Sequence, residues 1–529
     1  MNRKLATALA LALAAPSAFA ITLPSTTADV VYVAGATAVD RTLFESLVDP
    51  TNGVCDTGFT GTTESTTSVV GDYDSTVIPE VYTDQASWSP TAPKNWAVYC
   101  KIKTGYSVSG LVGVTVGINK FSGASETGID PVGGQTAYAV TPTSTVSTVF
   151  VDPTTCSAGT FTPIVTTTGA DRIAYIVHTS CGKSTAETAS ANTGLGTIPD
   201  IGIADVDAPL FNASASVKSN LTQSGALTTT FGPVVSKNFF VALQTAQGIT
   251  GCTNDVAGHT AACMPSLSLA QLRGLYSGRI SSVATFFDGT TAFTAPTALS
   301  GYNGATFRIC RRGNTSGTQK SFERILFGQG CAKTTPTVVF ATNTASNPDA
   351  GGTWAAGTPS TLVSSATPQV FNGNGGGDVL SCLADANTNS QYAIGITSAD
   401  QLPVDSTKEF RYVKVAGVAP TADNVLSGDW VFTTENVVTN AVAPALSGNK
   451  ASLLSLIKKQ MTVPAVLAKT HILVAGARFG ATVRPQLALA PAASDTSSVR
   501  PVAPFIRAAS NGAAVNNCNE LQSTSVIKN

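Results

Sequence analysis

The sequence predicts an α/β protein of two domains, built on more than one parallel or mixed sheet. Three observations carry that expectation. Short apolar runs that read as strands alternate with runs bearing a helical apolar stripe. At 529 residues the chain exceeds what a single core organises. Two stretches, about 49–107 and 132–181, interrupt the alternation with Thr, Ser, Gly and Pro, and each brings two cysteines. They read as disulfide-pinned insertions lying off the main sheet.

The elements follow in chain order. Asp29 to Val33 is a short buried strand that runs through Ala34-Gly35-Ala36-Thr37 into a helical pattern from Val39 to Val48. Strand, small-residue turn and helix is the unit that presents backbone N–H groups at a helix start. Pro199 to Asp205 is a second strand ending in polar residues, and Phe231 to Val235 leads into the buried segment Asn238 to Leu243. Ser268-Leu269-Ala270-Gln271 has the spacing of a capping box, with Gly278 as the stop and Leu269, Leu272, Leu275 and Tyr276 on one face. Thr306 to Cys310 is a strand, and Ser316 to Gln319 opens a helix to about Phe327 that buries Phe322, Ile325 and Leu326. A glycine loop at 373–377, a helix around Cys382 and the strand Tyr392 to Ile396 complete the series.

Composition excludes several classes. Thirty-one basic residues against 32 acidic ones leave no excess to neutralise phosphodiesters, so nucleic acid is not a partner. His178, His259 and His471 show no ligand spacing, no G-x-S-x-G elbow occurs, and Gly182-Lys183-Ser184 lacks the upstream glycine of a phosphate-binding loop. An enzyme, a metal site and a cofactor are therefore not expected. Arg3 and Lys4, the apolar run Leu5 to Ala14 and Ala18-Phe19-Ala20 form a secretory signal over residues 1–20. Export makes disulfides the default for the ten cysteines. Pairing of sequence neighbours is expected: Cys55 with Cys100, Cys156 with Cys181, Cys252 with Cys263 and Cys310 with Cys331, leaving Cys382 and Cys518. Sequence spacing does not itself fix that connectivity.

The chemistry concentrates in Arg312-Gly313-Asn314-Thr315-Ser316-Gly317-Thr318, between a strand and a helix. Ser and Thr hydroxyls, free N–H groups and the positive end of the helix dipole, with an Arg fork beside them, make an oxyanion cradle. Alone, the run reads first as an ordinary capped helix after a strand.

It does not stand alone. The run resembles the R-x-D-G-S-G-T signature of the periplasmic phosphate-binding proteins of ABC importers, the PstS-like class II solute-binding proteins. Ala34 to Thr37 resembles the family's G-A-G-A-T turn, Asp207-Ala208-Pro209-Leu210 its D-A-P-L turn, and SLAQLRGLYSG at 268–278 its S-x-x-Q-L helix. Residues 374–396 resemble its glycine loop, helix and A-I-G-Y strand, and VKVAGVAPTADNVLSG at 413–428 its P-T-x-x-N tail. The matches keep the family's order, chiefly over 29–48, 120–130, 198–328 and 371–435.

The resemblance implies a two-lobed periplasmic-binding-protein type II fold, a Venus flytrap. Lobe one would take residues 21–230 and 399–529, and lobe two 231–398. It implies inorganic phosphate as ligand, held by Thr37, the backbone of Ala38, Ser125, Arg312, Ser316, Gly317 and Thr318, with Asp207 accepting the phosphate proton. It also implies a monomer in the periplasm that serves an inner-membrane ABC permease without catalysis. A secreted or surface-attached interaction protein reusing the fold is the alternative. Asn314 replaces the family's acidic residue, Thr315 its first glycine, and Glu126 and Thr127 the Ser and Gly beside Ser125. Asp205 lies close enough to compete with Asp207 for the ligand.

Overall fold

The computed structural model describes residues 29–36, short stretches between 39 and 55, 95–102, 115–121, 129–135, 138–140, 149–150, 161–165, 174–178, 196–252, 261–281, 283–286, 307–329, 331, 339–341, 368–398, 409–461, 463, 486–489, 502–503, 505–506, 516–519 and 522–523. The signal segment 1–20, Thr37, Ala38, Ser125, Cys156 and Cys181 lie outside the described residues.

One large mixed sheet organises the chain. Its strands are β1 (Asp29–Gly35), β2 (Asn95–Lys101), β3 (Thr115–Phe121), β4 (Phe161–Val165), β5 (Ala174–His178), β6 (Ile201–Ala204), β7 (Leu221–Ser236), β8 (Arg308–Arg312), β9 (Gln369–Gly373), β10 (Ala393–Ser398), β11 (Phe410–Tyr412), β12 (Thr433–Ala441), β13 (Gln486–Leu489) and β14 (Val502–Ala503). The order is β9-β8-β10-β7-β12-β6-β1-β3-β2-β5-β4, with β11 and β13 also on β7 and β14 on β13. The helices are α1 (Ile129–Gly133), α2 (Ala208–Phe211), α3 (Ala215–Ser219), α4 (Lys237–Ala246), α5 (Leu269–Tyr276), α6 (Val283–Phe286), α7 (Gly317–Phe327), α8 (Gly376–Thr388), α9 (Ala422–Ser427) and α10 (Gly448–Met461).

Among the described residues two large apolar cores lie along this sheet, with a small cluster of Ile129, Ala204, Ala208, Ala213 and Val437 beside them, and β7 and β12 cross from one large core to the other. Val31, Val33, Leu43, Ile118, Ile203, Leu227 and Val438 build the first core, with Leu453 and Ile457 of α10 laid over them. Phe239, Leu272, Ile309, Phe322, Leu383, Ile394 and Trp430 belong to the second. On β7 the change falls between Leu227 and Phe231, where the strand stops pairing with β12 and begins pairing with β10. Opposite it, Phe432 faces the second core and Val438 the first. The N–H of Phe231 donates to the carbonyl of Phe432 at 3.0 Å, so both crossings occur at one level.

The helical spacing of apolar residues emerges as expected. Val39, Leu43 and Leu47, four residues apart, are fully buried. Ser268 and Gln271 form the reciprocal capping box of α5. At α7 only half of a box forms. Ser316 accepts from the N–H of Gln319, but Gln319 Oε1 accepts from the N–H of Arg312 at 3.2 Å and so ties helix to strand. Trp430 packs in the second core, its Nε1 donating to the Phe231 carbonyl at 2.9 Å.

Two expectations are corrected. The insertions do not lie wholly off the main sheet: β2, from the apolar run Trp96 to Cys100, pairs along the whole of β3, and β5 and β4 extend that edge. Phe410, Tyr412, Val413, Trp430 and Phe432 pack in the second core, since β11 pairs with the C-terminal half of β7. Cys310 pairs with Cys382, not Cys331, and Cys331 with Cys518. Cys310 faces inward from β8 beneath α8, whereas Cys331 lies beyond the end of α7. Cys252 and Cys263 pair as neighbours.

Candidate functional site

Between the two apolar cores lies a layer of buried polar side chains: Asp207, Thr230 and Asn436 have no exposure and Thr228, Thr434 and Asn517 almost none. Buried polar groups cost free energy unless hydrogen-bonded. Three of them in this layer have an oxygen without a partner: Asp207 Oδ1, Thr228 Oγ1 and Thr230 Oγ1. Part of the unmet hydrogen-bonding capacity among the described residues therefore lies at the level where the chain changes cores.

From the second core, α7 enters this layer by its N-terminus. The helix follows β8 because Gly313 to Thr315 turn the chain, the N–H of Gly313 donating to Gly373 at 2.9 Å. Phe322 then fixes it, with its ring 4.8 Å from Phe432 on the crossing segment and 5.0 Å from Tyr276. Ser316, Gly317 and Thr318 are all buried. The first N–H groups of a helix lack intrahelical acceptors and carry the positive end of its dipole.

From the first core, β6 delivers Asp205 and Asp207. Gly35 at the end of β1 makes that delivery possible: with φ at +148° and a Cβ that would fall 1.8 Å from the Ile203 carbonyl, only glycine fits. Asp205 lies directly against Gly317, where an added Cβ would meet the Asp205 Cβ at 2.6 Å. Its Oδ1 accepts from Asn436 at 3.1 Å. Asp207 occupies the N-cap position of α2 without capping it by its side chain, and α2 packs on α7. The N–H of Asn517 donates to Asp207 Oδ2 at 3.1 Å, and no group reaches Oδ1 with hydrogen-bonding geometry. Burial pushes the Asp207 carboxyl from its usual 3.8 up to about 6, against the downward pull of the N–H groups of Asn517, Asp207 and Leu210.

Arg312 ends β8 half-buried, its Nη2 donating to the Asn374 carbonyl at 2.9 Å. Its neighbour Arg311 is wholly buried and structural. It pairs with Glu323 at 3.0 Å, donates to Asn314 and lies over Phe340. Asn314 thus serves Arg311. Lys120, fully buried on β3, donates to the carbonyls of Gly35 and Ala36 at 3.1 and 3.2 Å and braces the turn that precedes Thr37.

The structure therefore brings Asp205 against Gly317 at the start of α7, packs α2, which follows Asp207, on the same helix, and leaves Arg312 at the end of β8. Thr228, Thr230, Asn436 and Asn517 escaped the sequence reading. A Thr-Thr-Thr run inside a long strand gives no motif, and the polar run at Asn516-Asn517-Cys518 is distant in sequence from all that it touches. Among the described residues no group of three or more His, Cys, Asp or Glu is placed to hold a metal, and no helix is long and apolar enough to cross a membrane.

The class that the coordinates define is a mixed α/β protein of two cores joined by crossing strands, with a buried polar layer between them. No protein-family model and no curated sequence matches the chain. Among solved structures, similarity extends to an ABC-type phosphate transport receptor from Vibrio cholerae, at 14% identity and a TM-score of 0.28 over 50% of this chain and 77% of that one. It extends also to PstS from Borrelia burgdorferi, at 11% and 0.27 over 52% and 77%, and to a phosphate-binding protein from Stenotrophomonas maltophilia, at 14% and 0.26 over 55% and 75%. At these values the likeness leaves the ligand of this chain open.

Proposed function

We propose that this protein is an exported, two-lobed solute-binding protein that captures a protonated tetrahedral oxyanion, inorganic phosphate, in the polar layer between its cores. On this reading it passes the anion to an ABC importer and performs no chemistry on it. The observation that carries the reading is the approach of Asp205, from one core, to Gly317 at the start of α7, from the other, with α2, which follows Asp207, packed on α7. Asp207 adds a buried Oδ1 that has no hydrogen-bond partner.

That pairing selects by protonation. Ser316, Thr318 and the N–H groups at the start of α7 donate to anionic oxygens, with Arg312 adding a charged fork. Asp207, when ionised, has no proton to offer. Hydrogen phosphate brings an O–H to satisfy Oδ1, whereas sulfate would set its lone pairs against it. Asp205 beside Gly317 offsets part of the positive field of the helix, so an ion gains most when it also donates. Thr37, Ala38 and Ser125 complete the donor set in this proposal.

The test is calorimetric titration of phosphate-stripped protein with inorganic phosphate. Saturable one-to-one binding is expected. Absence of any binding heat, together with no change in melting temperature, overturns the reading.

A further inference from the structure

The segment 516–519 is the least expected part of the site. Nothing in the sequence links it to the phosphate-binding resemblance, yet Asn517 is almost completely buried against the crossing strand. Its side chain pairs reciprocally with the backbone of Glu435, accepting from the N–H at 2.9 Å and donating to the carbonyl at 3.0 Å. Thr434 Oγ1 also donates to it, at 3.3 Å. These bonds hold the Asn517 backbone so that its N–H points at Asp207 Oδ2.

The same segment is bound to the other core. Cys518 forms a disulfide with Cys331, just beyond the end of α7, and its carbonyl accepts from Arg324 Nη2 of that helix at 2.6 Å. One side of residues 516–519 therefore grips α7, whose first turn supplies the donors. The other side grips β12 and the acceptor carboxylate.

The geometry points to Asn517 as a positioning residue of the oxyanion site, on a strap fastened by Cys331–Cys518. By engaging Oδ2, the strap directs Oδ1 of Asp207 toward the ligand and fixes the distance between acceptor and donors. This rests on the reading of the interlobe layer as an oxyanion site. The charged groups on the elements around Asp207 are Asp205, Glu435 on β12, and Lys320, Glu323 and Arg324 on α7, with Lys218 exposed on α3. Of these, Glu323 is paired with Arg311 and Lys320, and Arg324 donates to Cys518.

The test uses the full chain, inorganic phosphate as the probe, and two independent lesions: Asn517→Ala, and the double variant Cys331→Ser/Cys518→Ser, which spares the other disulfides. Each is combined with Asp207→Asn. Both lesions are expected to raise the phosphate dissociation constant about tenfold, the scale of one lost hydrogen bond to a charged group. They are also expected to move the pH midpoint of affinity upward, because Asp207 loses a donor that favours its ionised form. In the Asp207→Asn background the same lesions should change affinity less than twofold, which is coupling rather than general damage.

If both lesions leave the affinity and its pH profile as in the parent protein, the strap is only structural and the proposal falls. It falls equally if their effects persist in full without Asp207. If Asn517→Ala melts below the assay temperature, the cysteine pair decides. Parent protein that binds no phosphate would overturn the oxyanion reading itself, a different result from either.

Discussion

Gly317 and Asp205 touch across the boundary between the two cores, so closely that a single methyl group on Gly317 would fall 2.6 Å from the Asp205 Cβ. The first residue of α7 is thus glycine because a carboxylate-bearing strand end must approach its backbone, and not because the helix start needs an unusual φ.

Gly317→Ala should therefore push the two cores apart at this point. Overpacking of a buried contact costs about 1–3 kcal/mol. A lowered melting temperature and weaker phosphate binding should appear together. An alanine variant with unchanged stability and affinity would show that the contact is not maintained in solution.

Arg312→Ala should weaken phosphate binding by about 1.5–3 kcal/mol, the scale of a charge-assisted hydrogen bond. The half-buried side chain leaves no large cavity, so the melting temperature should change little. Arg311→Ala should do the reverse, because it removes a fully buried side chain and the main cationic partner of Glu323, leaving that carboxylate only Lys320 and Gln319. Parallel melts and titrations of the two variants separate the binding arginine from the structural one.

Asp207 should make ligand-free stability fall as pH rises. Its folded value of about 6 lies above the usual 3.8, so between these values the folded state holds more of the proton than the unfolded state does. The stabilisation is fully present below about pH 4 and is lost as pH rises through about 6, by roughly 3 kcal/mol in all. Urea titrations across that range should show the loss, and Asp207→Asn should flatten it.

Removing the Cys310–Cys382 bridge by a Ser pair should destabilise the second core by about 2–4 kcal/mol. Phosphate affinity, measured where the variant is fully folded, should stay within about twofold, because the bridge lies beneath α8 rather than in the polar layer. A large affinity loss would mean that α8 contributes to the site.

Much of this organisation was legible in the residues, and the misses have physical causes. Local signals survived folding: Ser268 with Gln271, Ser316 with Gln319, and the stripe of Val39, Leu43 and Leu47 depend on neighbours within one helix. The acceptor and donor runs were also visible, since Asp207 and Ser316 to Thr318 sit at strand-to-helix turns. Long-range partners were not. Cys310 pairs across 72 residues and Cys331 across 187, choices made by which strand lies under which helix. Thr228, Thr230 and Asn436 look like ordinary strand residues until β7 and β12 place them between two cores.

The central claim is that Asp207 reads a proton on the ligand. Its most direct test is titration of stripped protein with phosphate and with sulfate at pH 8, in the parent chain and in Asp207→Asn. The parent chain should prefer phosphate at least about tenfold, and the preference should collapse in the variant, whose amide donates to either ion. Equal affinity of the parent chain for the two ions, or an undiminished preference in Asp207→Asn, would contradict the account.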